Sequence, residues 1–343
     1  MFATKVIMPG KQASVKDLCY MLWTECFDDT KQYTDYYFNN RWNNSITVIA
    51  DGVSMLHLNP YNTIVNGKET EIYNIAGVCT LKEYRKRGYM DSVLKSAINF
   101  MYSQGKPFTY LMPASEEIYK PYGFTGIYPV RKFKGGIKLP VSTGSKLICI
   151  PYNMLKDSQK ADLTRYAQNR LAERFTCYTM HNKSYFQAFY EEMQACNGNI
   201  LAFWNGDGVC QGYFVYLCEE MPEVIESVFE KDIQNEILAY LARLGYPAIK
   251  INETNFWDLD LQEQKVEKPK NYLMARIVDL KAFTECISVK GHKEMWLEVT
   301  DNIISGNNGR WHIITGEEET CCQKCRENGK HYIKCTIEEL GQK

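Results

Sequence analysis

The sequence has 343 residues, more than one hydrophobic core usually holds, and this length predicts two or three domains. Charged residues make up 24% and hydrophobic residues 45% of the chain, and these values exclude an intrinsically disordered protein. The 40 basic and 41 acidic residues give a net charge of −1, which excludes general nucleic-acid binding because that depends on clustered positive charge.

The chain is predicted to be cytoplasmic, with no membrane partner. No window approaches the 18 consecutive apolar residues that a membrane span requires. The N-terminal sequence MFATKVIMPGKQ lacks the apolar core of a signal peptide. The 13 cysteines, scattered from Cys19 to Cys335, are typical of buried thiols in a reducing compartment rather than of a secreted disulfide framework.

Helix-like and strand-like segments alternate in the first part of the chain, which predicts a mixed α/β fold. A helix is predicted over residues 15–27, followed by strands at 46–50, 54–58 and 71–80. The dipeptides Asp51-Gly52 and Asn66-Gly67 between these strands accept the positive φ of hairpin turns. A continuous apolar stripe then predicts a helix over 89–102 with Gly105 as its cap, and a short strand is predicted at 108–112.

The later part of the chain continues this alternation. Its predicted elements are a helix at 160–175, hairpin strands at 200–204 and 210–217, a helix at 225–244 that ends at Gly245, and strands at 295–299 and 310–314 separated by the turn Asn307-Asn308-Gly309. The basic, glycine-containing segment 131–144 predicts a domain boundary, and the polar segment 263–271 predicts a linker. We therefore expect three units, at 1–140, 141–268 and 269–343.

Residues 78–90 carry the strongest functional signal. A buried strand enters a short loop that holds four basic residues, Lys82, Arg85, Lys86 and Arg87, against the single acidic Glu83. The amphipathic helix starts immediately after Gly88 and offers unpaired N–H groups and the positive end of its dipole. This combination fits a pyrophosphate, although such a loop on its own would more often be a solvated surface feature.

A second motif follows the next predicted strand, where residues 115–124 are Ser-Glu-Glu-Ile-Tyr-Lys-Pro-Tyr-Gly-Phe. Arg-x-x-Gly at a strand–helix junction followed by Tyr-x-x-x-Gly-Phe resembles the GNAT superfamily of acyl-CoA-dependent N-acetyltransferases. The resemblance implies an N-acetyltransferase enzyme that uses acetyl-CoA as co-substrate and acts on a primary amine: an aminoglycoside, a polyamine or a lysine side chain.

The resemblance also assigns roles to individual residues. The strand whose free backbone groups pair with pantetheine corresponds to Val78, Cys79 and Thr80. The pyrophosphate loop corresponds to Arg85, Lys86, Arg87 and Gly88, and Tyr89 opens the helix; Met90 departs from the small residue usual in the family. Tyr119 matches the general acid that protonates the departing CoA thiolate, with a buried structural tyrosine as the alternative. Ser115 lies where it could reach the thioester end of the cofactor.

Within this superfamily the chain resembles the enhanced-intracellular-survival family. A second αβ unit lacks both motifs, and a third unit opens with Met274-Ala275-Arg276-Ile277-Val278-Asp279. The implied fold class is α/β (α+β), with a catalytic GNAT domain, a second, non-catalytic GNAT-like domain and a small sterol-carrier-like α+β domain that is either short or incomplete. The resemblance also implies a homo-oligomer, a hexamer in relatives, and no metal.

The acceptor site and the general base are less well defined by the sequence. Phe27 and Asp29 match a Phe-x-Asp position that lines the acceptor pocket in relatives, and a carboxylate there would attract a cationic amine. A solvated acid at a helix end explains Asp29 equally well. In relatives the C-terminal carboxylate is thought to act as the base, but Lys343 is not assigned this role.

Three other interpretations were weighed. Cys322, Cys325, His331 and Cys335 have a displaced zinc-knuckle spacing, but strand alternation explains residues 331–337 more simply. The run Arg131-Lys132-Phe133-Lys134 is predicted to be a solvated turn rather than a contact for the CoA 3′-phosphate. The alternative function is a non-enzymatic GNAT scaffold that binds an apolar ligand through its C-terminal unit.

Overall fold

The computed structural model describes residues 2–136, 147–253, 256–257, 270–289, 291–316, 320–325 and 330–342. Its residues group into two compact units, one made of Met1–Tyr128 with Asn271–Lys343 and the other of Pro129–Lys270. The predicted boundary at residue 140, most of the linker at 263–271 and Lys343 lie outside the described residues, and the three-unit division stays a prediction. No helix in the described ranges is long and apolar enough to cross a bilayer.

The two units and the C-terminal segment contain these helices and strands. The first part of the chain forms β1 (Thr4–Ile7), α1 (Lys16–Cys26), α2 (Lys31–Tyr36), β2 (Ile46–Ala50), β3 (Ser54–Val65), β4 (Lys68–Thr80), α3 (Tyr89–Ser103), β5 (Phe108–Leu111), α4 (Glu116–Tyr119) and β6 (Thr125–Gly135). The central part forms β7 (Ile148–Pro151), α5 (Asp157–Arg174), β8 (Cys177–Thr179), α6 (Lys183–Ala195), β9 (Asn199–Trp204), β10 (Cys210–Cys218), β11 (Pro222–Phe229), α7 (Gln234–Arg243) and β12 (Ile249–Glu253). The last part forms β13 (Lys270–Ile277), α8 (Leu280–Glu285), β14 (Lys293–Thr300), β15 (Gly309–Thr315), β16 (Thr320–Lys324), β17 (Ile333–Thr336) and α9 (Ile337–Gln342).

Each unit is built on a mixed sheet of the same design. In the first unit the strand order is β1-β2-β3-β4-β5-β13, and every pair is antiparallel except the parallel pair β4 and β5. In the second unit the order is β7-β9-β10-β11-β12-β6, with β11 and β12 as the one parallel pair of that sheet. The C-terminal segment adds a separate small sheet, β16-β15-β14-β17. The predicted mixed α/β fold class is confirmed.

Local sequence explains most of the first sheet. Asp51-Gly52 and Asn66-Gly67 adopt positive φ at all four residues, as the predicted hairpin turns require. The helix predicted at 89–102 is α3, and its apolar stripe is buried through Val93, Leu94, Ala97, Ile98 and Met101. Alternate residues of the strands therefore face α3 on one side of the sheet and α1 and α2 on the other.

Two predicted elements were wrong. Residues 225–244 are not one helix, because β11 runs to Phe229 and the helix α7 starts only at Gln234. The β-branched Val224, Ile225 and Val228 favour a strand, and β11 is hydrogen-bonded on both edges. The basic run 131–134 is not a turn, because it lies in β6 and pairs with β12 through Glu253 to Lys250.

A buried ion pair within the C-terminal segment also contacts the residues that follow α4. Arg276 on β13 donates through Nη2 to both carboxylate oxygens of Asp301 at 2.7 Å, and through Nη1 to the carbonyl oxygen of Tyr122. Burial opposes ionisation of Asp301, but the charge of Arg276 and the amide of Asn307 hold its pKa below the usual value. Gly123 has φ +78°, and a Cβ there would collide with the Arg276 guanidinium.

Breaking this pair should destabilise the first unit strongly. Asp301→Asn leaves the buried Arg276 charge uncompensated, so we expect a loss of about 3–5 kcal/mol in the free energy of unfolding. The matched control is Lys281→Gln, which removes an exposed 4.0 Å pair with Glu285 and should cost less than about 0.5 kcal/mol. Urea denaturation measures both; equal losses in the two variants would contradict the prediction.

Candidate active site

Strand β4 continues well beyond the point where its pairing with β5 ends. Their parallel ladder joins Tyr73 with Thr109 and ends at Ile75 with Leu111, whereas β4 continues to Thr80. Among the described residues no strand pairs with this edge of β4 beyond Ile75. The first unit therefore has a gap beside β4 that starts after Ile75 and is open at the end of the strand.

A β-bulge lies where the gap begins. In the ladder between β3 and β4, Met55 faces Cys79 but His57 faces Ala76, so β4 contains one extra residue at this point. Gly77 has φ +60° here, and a Cβ on it would be 2.6 Å from the ring of Trp23 and 2.9 Å from that of His57. Only glycine fits, for both reasons. No motif in the sequence marks Gly77.

The end of β4 presents free backbone groups to the gap. The Cys79 carbonyl accepts from the Ser54 hydroxyl at 2.8 Å, and the Leu81 N–H donates to Val53, so the backbone of these residues faces β3. Because successive residues of a strand direct their backbone groups to opposite edges, Val78 and Thr80 face the gap. The Thr80 carbonyl already accepts from Arg85 Nε at 3.1 Å.

The loop after β4 is receptive to an anion. Arg85, Lys86, Arg87 and Gly88 are all exposed, and among the described residues none of these cations has a carboxylate partner. Lys86 (φ +61°) and Gly88 (φ +91°) adopt left-handed conformations. The first hydrogen bond of α3 runs from the Ser92 N–H to the Gly88 carbonyl, so the N–H groups of the first turn have no acceptor in the helix.

Tyr119 lies at the end of α4, in the core that packs against α3. It is 6% exposed, and its ring packs edge-to-face against Phe124 with the two ring centroids 6.0 Å apart. It shares a hydrophobic cluster with Val78 and Tyr89. Burial raises the pKa of Tyr119 to about 12, and its hydroxyl has no hydrogen-bond partner in the described part of the chain. Ser115 is the exposed residue before α4, and its side chain does not cap the helix.

The opposite face of the sheet carries the predicted acceptor residues. Trp23 on α1 donates its indole N–H to the exposed carboxylate of Asp29 at 2.8 Å and packs against Phe27 at 5.0 Å. Its ring also stacks on Tyr37 at 4.5 Å, where α2 continues into a π-helical turn. Asp29 is thus held in one orientation by Trp23, a residue that the sequence analysis had not assigned to the site.

His57 lies on β3 beneath this aromatic cluster. It is fully buried, with Nδ1 at 3.1 Å from the Thr47 hydroxyl, and Nε2 has no hydrogen-bond partner among the described residues. Burial lowers the pKa of His57 to about 3, so the imidazole is neutral at neutral pH. No sequence motif marked this residue, because its position depends on the packing of α1 and α2.

The predicted site residues therefore divide between the two faces of one sheet. Tyr119, Val78 and Tyr89 meet on the α3 face, whereas Cys79 and Phe27 pack on the α1 face. In the C-terminal sheet Cys322 and Cys335 are buried in an apolar core beside Trp311. No group of three metal-ligating side chains is found in the described ranges, and the absence of a metal stays a prediction.

Comparison with known proteins identifies one domain. Residues 11–127 match the family model described as acetyltransferase (GNAT) domain. The chain therefore contains a GNAT acetyltransferase domain, and the prediction of an N-acetyltransferase enzyme is confirmed at this level. A search among curated proteins gave no match.

The fold of the whole chain is similar to that of several solved structures. A probable N-acyltransferase of unknown function from Enterococcus faecalis V583 has a TM-score of 0.81 and 18% identity, covering 100% of this chain and 89% of that one. A GCN5-related N-acetyltransferase from Anabaena variabilis has a TM-score of 0.79 and 15% identity, over 98% and 88% of the two chains. Eis1 from Mycobacterium abscessus has a TM-score of 0.65 and 12% identity, also over 98% and 88%. At these identities the likeness is one of fold.

The neutral His57 should make the protein sensitive to acid. Its pKa is about 3 in the folded state and about 6.5 in the unfolded chain, so the unfolded state binds the extra proton below pH 6.5. Stability then falls by about 1.4 kcal/mol per pH unit from this group alone. When the pH is lowered from about 7 to about 5, the free energy of unfolding of His57→Leu, measured by urea denaturation, should fall by about 2 kcal/mol less than that of the wild type.

The exposed His292 offers the control for this measurement. His292→Gln removes an exposed imidazole instead of a buried one and should keep the pH dependence of the wild type. If His57→Leu kept the same pH dependence as well, the assignment of a neutral, buried His57 would be wrong.

Proposed function

We propose that the chain transfers the acetyl group of acetyl-CoA to a primary amine by direct attack. The supporting observation is that an unpaired strand edge and a cationic loop, the two features that one CoA molecule would need, are adjacent in the structure. The free edge of β4 after Gly77 leads directly into the cationic loop and the start of α3. An extended pantetheine arm would pair with Val78 and Thr80 as another strand does, and its pyrophosphate would reach the loop at Lys86, Arg87 and Gly88.

Arg85 and Cys79 take different parts in this proposal. The Arg85 guanidinium is already hydrogen-bonded to Thr80. A phosphate would therefore bind mainly to the backbone of the loop and to the side chains of Lys86 and Arg87. Cys79 directs its backbone to β3 and would support the strand rather than pair with the cofactor. Ser115, exposed before α4, is kept as a contact at the thioester end.

Tyr119 would supply the proton that the leaving CoA thiolate needs. With a pKa of about 12, the phenol stays protonated throughout the neutral range and is available as a donor. Burial makes a thiol a weaker acid in the same way, and it raises the pKa of Cys19 in this unit to about 12. A thiolate released into similarly buried surroundings would therefore match the phenol, and proton transfer between them costs little.

The acceptor would approach from the side of α1. The exposed Asp29 carboxylate, oriented by the Trp23 indole, attracts a protonated amine, and the Phe27 ring offers an apolar contact to its alkyl part. Aminoglycosides, polyamines and lysine side chains all share this chemistry. The amine attacks the thioester carbonyl, and a backbone N–H at the end of β4 would stabilise the tetrahedral oxyanion.

The second unit would be a non-catalytic copy. Its sheet repeats the first, but between β11 and α7 the residues are Glu230, Lys231, Asp232 and Ile233, with no glycine and two acids. Such a loop would repel a pyrophosphate. The likeness to Eis1 along nearly the whole chain supports the enhanced-intracellular-survival type. A sterol-carrier-like C-terminal domain, a hexameric assembly and a cytoplasmic location remain predictions from the sequence.

Cofactor binding tests the loop. In isothermal titration with acetyl-CoA, the double variant Lys86→Glu/Arg87→Glu should bind at least about 100-fold more weakly, because each charge-assisted bond to phosphate contributes about 1.5–3 kcal/mol. The control Arg165→Glu/Arg243→Glu makes the same charge change on exposed helices of the second unit and should bind normally. Absence of acetyl-CoA binding to the wild-type chain would instead favour a scaffold for an apolar ligand.

Turnover tests the general acid. Release of free CoA is followed with an aminoglycoside, a polyamine and a lysine peptide as acceptors. Tyr119→Phe should lower kcat by about 10²-fold or more, as the loss of a general acid does, while the Kd for acetyl-CoA stays within about twofold. The control is Tyr122→Phe in the same motif, whose hydroxyl lies near the carboxylate of Asp91 instead. Wild-type turnover in Tyr119→Phe would remove the assignment.

A further inference from the structure

Two thiols meet where α1 ends against the end of β4. Cys26 is the last residue of α1, and Cys79 is the residue before the last of β4. The Cys79 thiol points at the last turn of α1, where its sulfur lies 3.8 Å from the carbonyl oxygen of Leu22, one turn before Cys26, and the two cysteines pack in the same cluster. Cys26 is half-buried and Cys79 is 6% exposed, so solvent reaches the first thiol and not the second.

Arg85 completes the cluster from the loop after β4. Its Nε donates to the Thr80 carbonyl at 3.1 Å, which fixes the side chain against the end of the strand, and its positive charge acts on the Cys26 thiol. A hydrogen bond from Cys79 and the charge of Arg85 outweigh burial and the nearby Glu25, and they lower the pKa of Cys26 to about 6. The same hydrogen bond, together with burial, raises the pKa of Cys79.

Cys19 is a thiol on the same helix that lacks such partners, and its pKa can be compared with that of Cys26. It lies two turns earlier on α1, in the same apolar cluster, and it is fully buried. Burial raises the pKa of Cys19 to about 12, so this thiol is unreactive at neutral pH. The contrast assigns the reactivity of Cys26 to Cys79 and Arg85 rather than to the helix.

We propose that Cys26 and Cys79 form a peroxide-reactive thiol pair, in which Cys26 attacks and Cys79 resolves. The Cys26 thiolate attacks one oxygen of hydrogen peroxide, the O–O bond breaks, and Cys26 sulfenic acid and hydroxide form. The Cys79 thiol then attacks the Cys26 sulfur, the S–O bond breaks, and a disulfide and one water are produced. Both sulfurs are oxidised, the peroxide is reduced, and a thiol reductant reverses the change. This proposal does not depend on the acetyltransferase activity.

Peptide mapping of the full chain tests the pair. The reduced protein is treated with hydrogen peroxide near pH 7, blocked with iodoacetamide and digested without reductant. We expect a linked peptide joining Cys26 to Cys79 that dithiothreitol removes. Cys19→Ser, a change on the same tryptic peptide as Cys26, should leave the link intact, whereas Cys26→Ser should abolish it. A peroxide-treated wild type with no such link would overturn the proposal.

The order of the two steps has its own test. In Cys79→Ala the reaction should stop at sulfenic acid on Cys26, which dimedone captures as a mass increase on that peptide. In the wild type, the rate at which peroxide consumes the Cys26 thiol should fall about tenfold between pH 7 and pH 5, as Cys26 is protonated through its pKa of about 6. Arg85→Gln should slow it about fivefold. If Cys26 were captured no faster than the exposed Cys177 of the same sample, the attacking role would be wrong.

Discussion

The separation of β4 from β5 after Ile75 is the constraint on which the first unit depends. A strand in the middle of a sheet normally uses both edges, and leaving one free exposes polar backbone groups that need a partner. Here β4 continues beyond its last pair with β5, an extra residue at Gly77 lies just after that point, and the close approach of Trp23 and His57 keeps that position a glycine. The unpaired edge of β4, the cationic loop and the start of α3 then follow one another along the chain.

The C-terminal segment completes the same unit. Strand β13 pairs with β5 on the side away from β4, and its Arg276 holds the carbonyl of Tyr122, three residues after Tyr119. Since Arg276 is itself neutralised by the buried Asp301, the turn at Gly123 is fixed by charge and not by apolar packing alone. The position of the tyrosine proposed as general acid thus depends on residues far away in the sequence.

Local patterns predicted the parts of the fold that are locally determined. The hairpin glycines, the stripe of α3 and the two motifs at Gly88 and Tyr119 are readable because each arises within a few residues. The helix predicted at 225–244 failed because β-branched residues in a central strand resemble one face of a helix when the register is unknown. Gly77, Trp23 and His57 were missed, since their significance comes from contacts between α1 and the sheet that no spacing in the sequence encodes.

The comparison of the two sheets shows how little of the activity belongs to the fold itself. Both have one parallel pair in an otherwise antiparallel sheet. In the first unit the last strand of the sheet is β13, which follows β12 in the chain, and in the second unit it is β6, which follows β5. The difference lies in the connection to the next helix, where one chain segment has Arg85 to Gly88 and the other has Glu230 to Ile233. Because a phosphate needs free amides, a glycine and positive charge at that point, the same scaffold favours the proposed anion site in one unit and opposes such a site in the other.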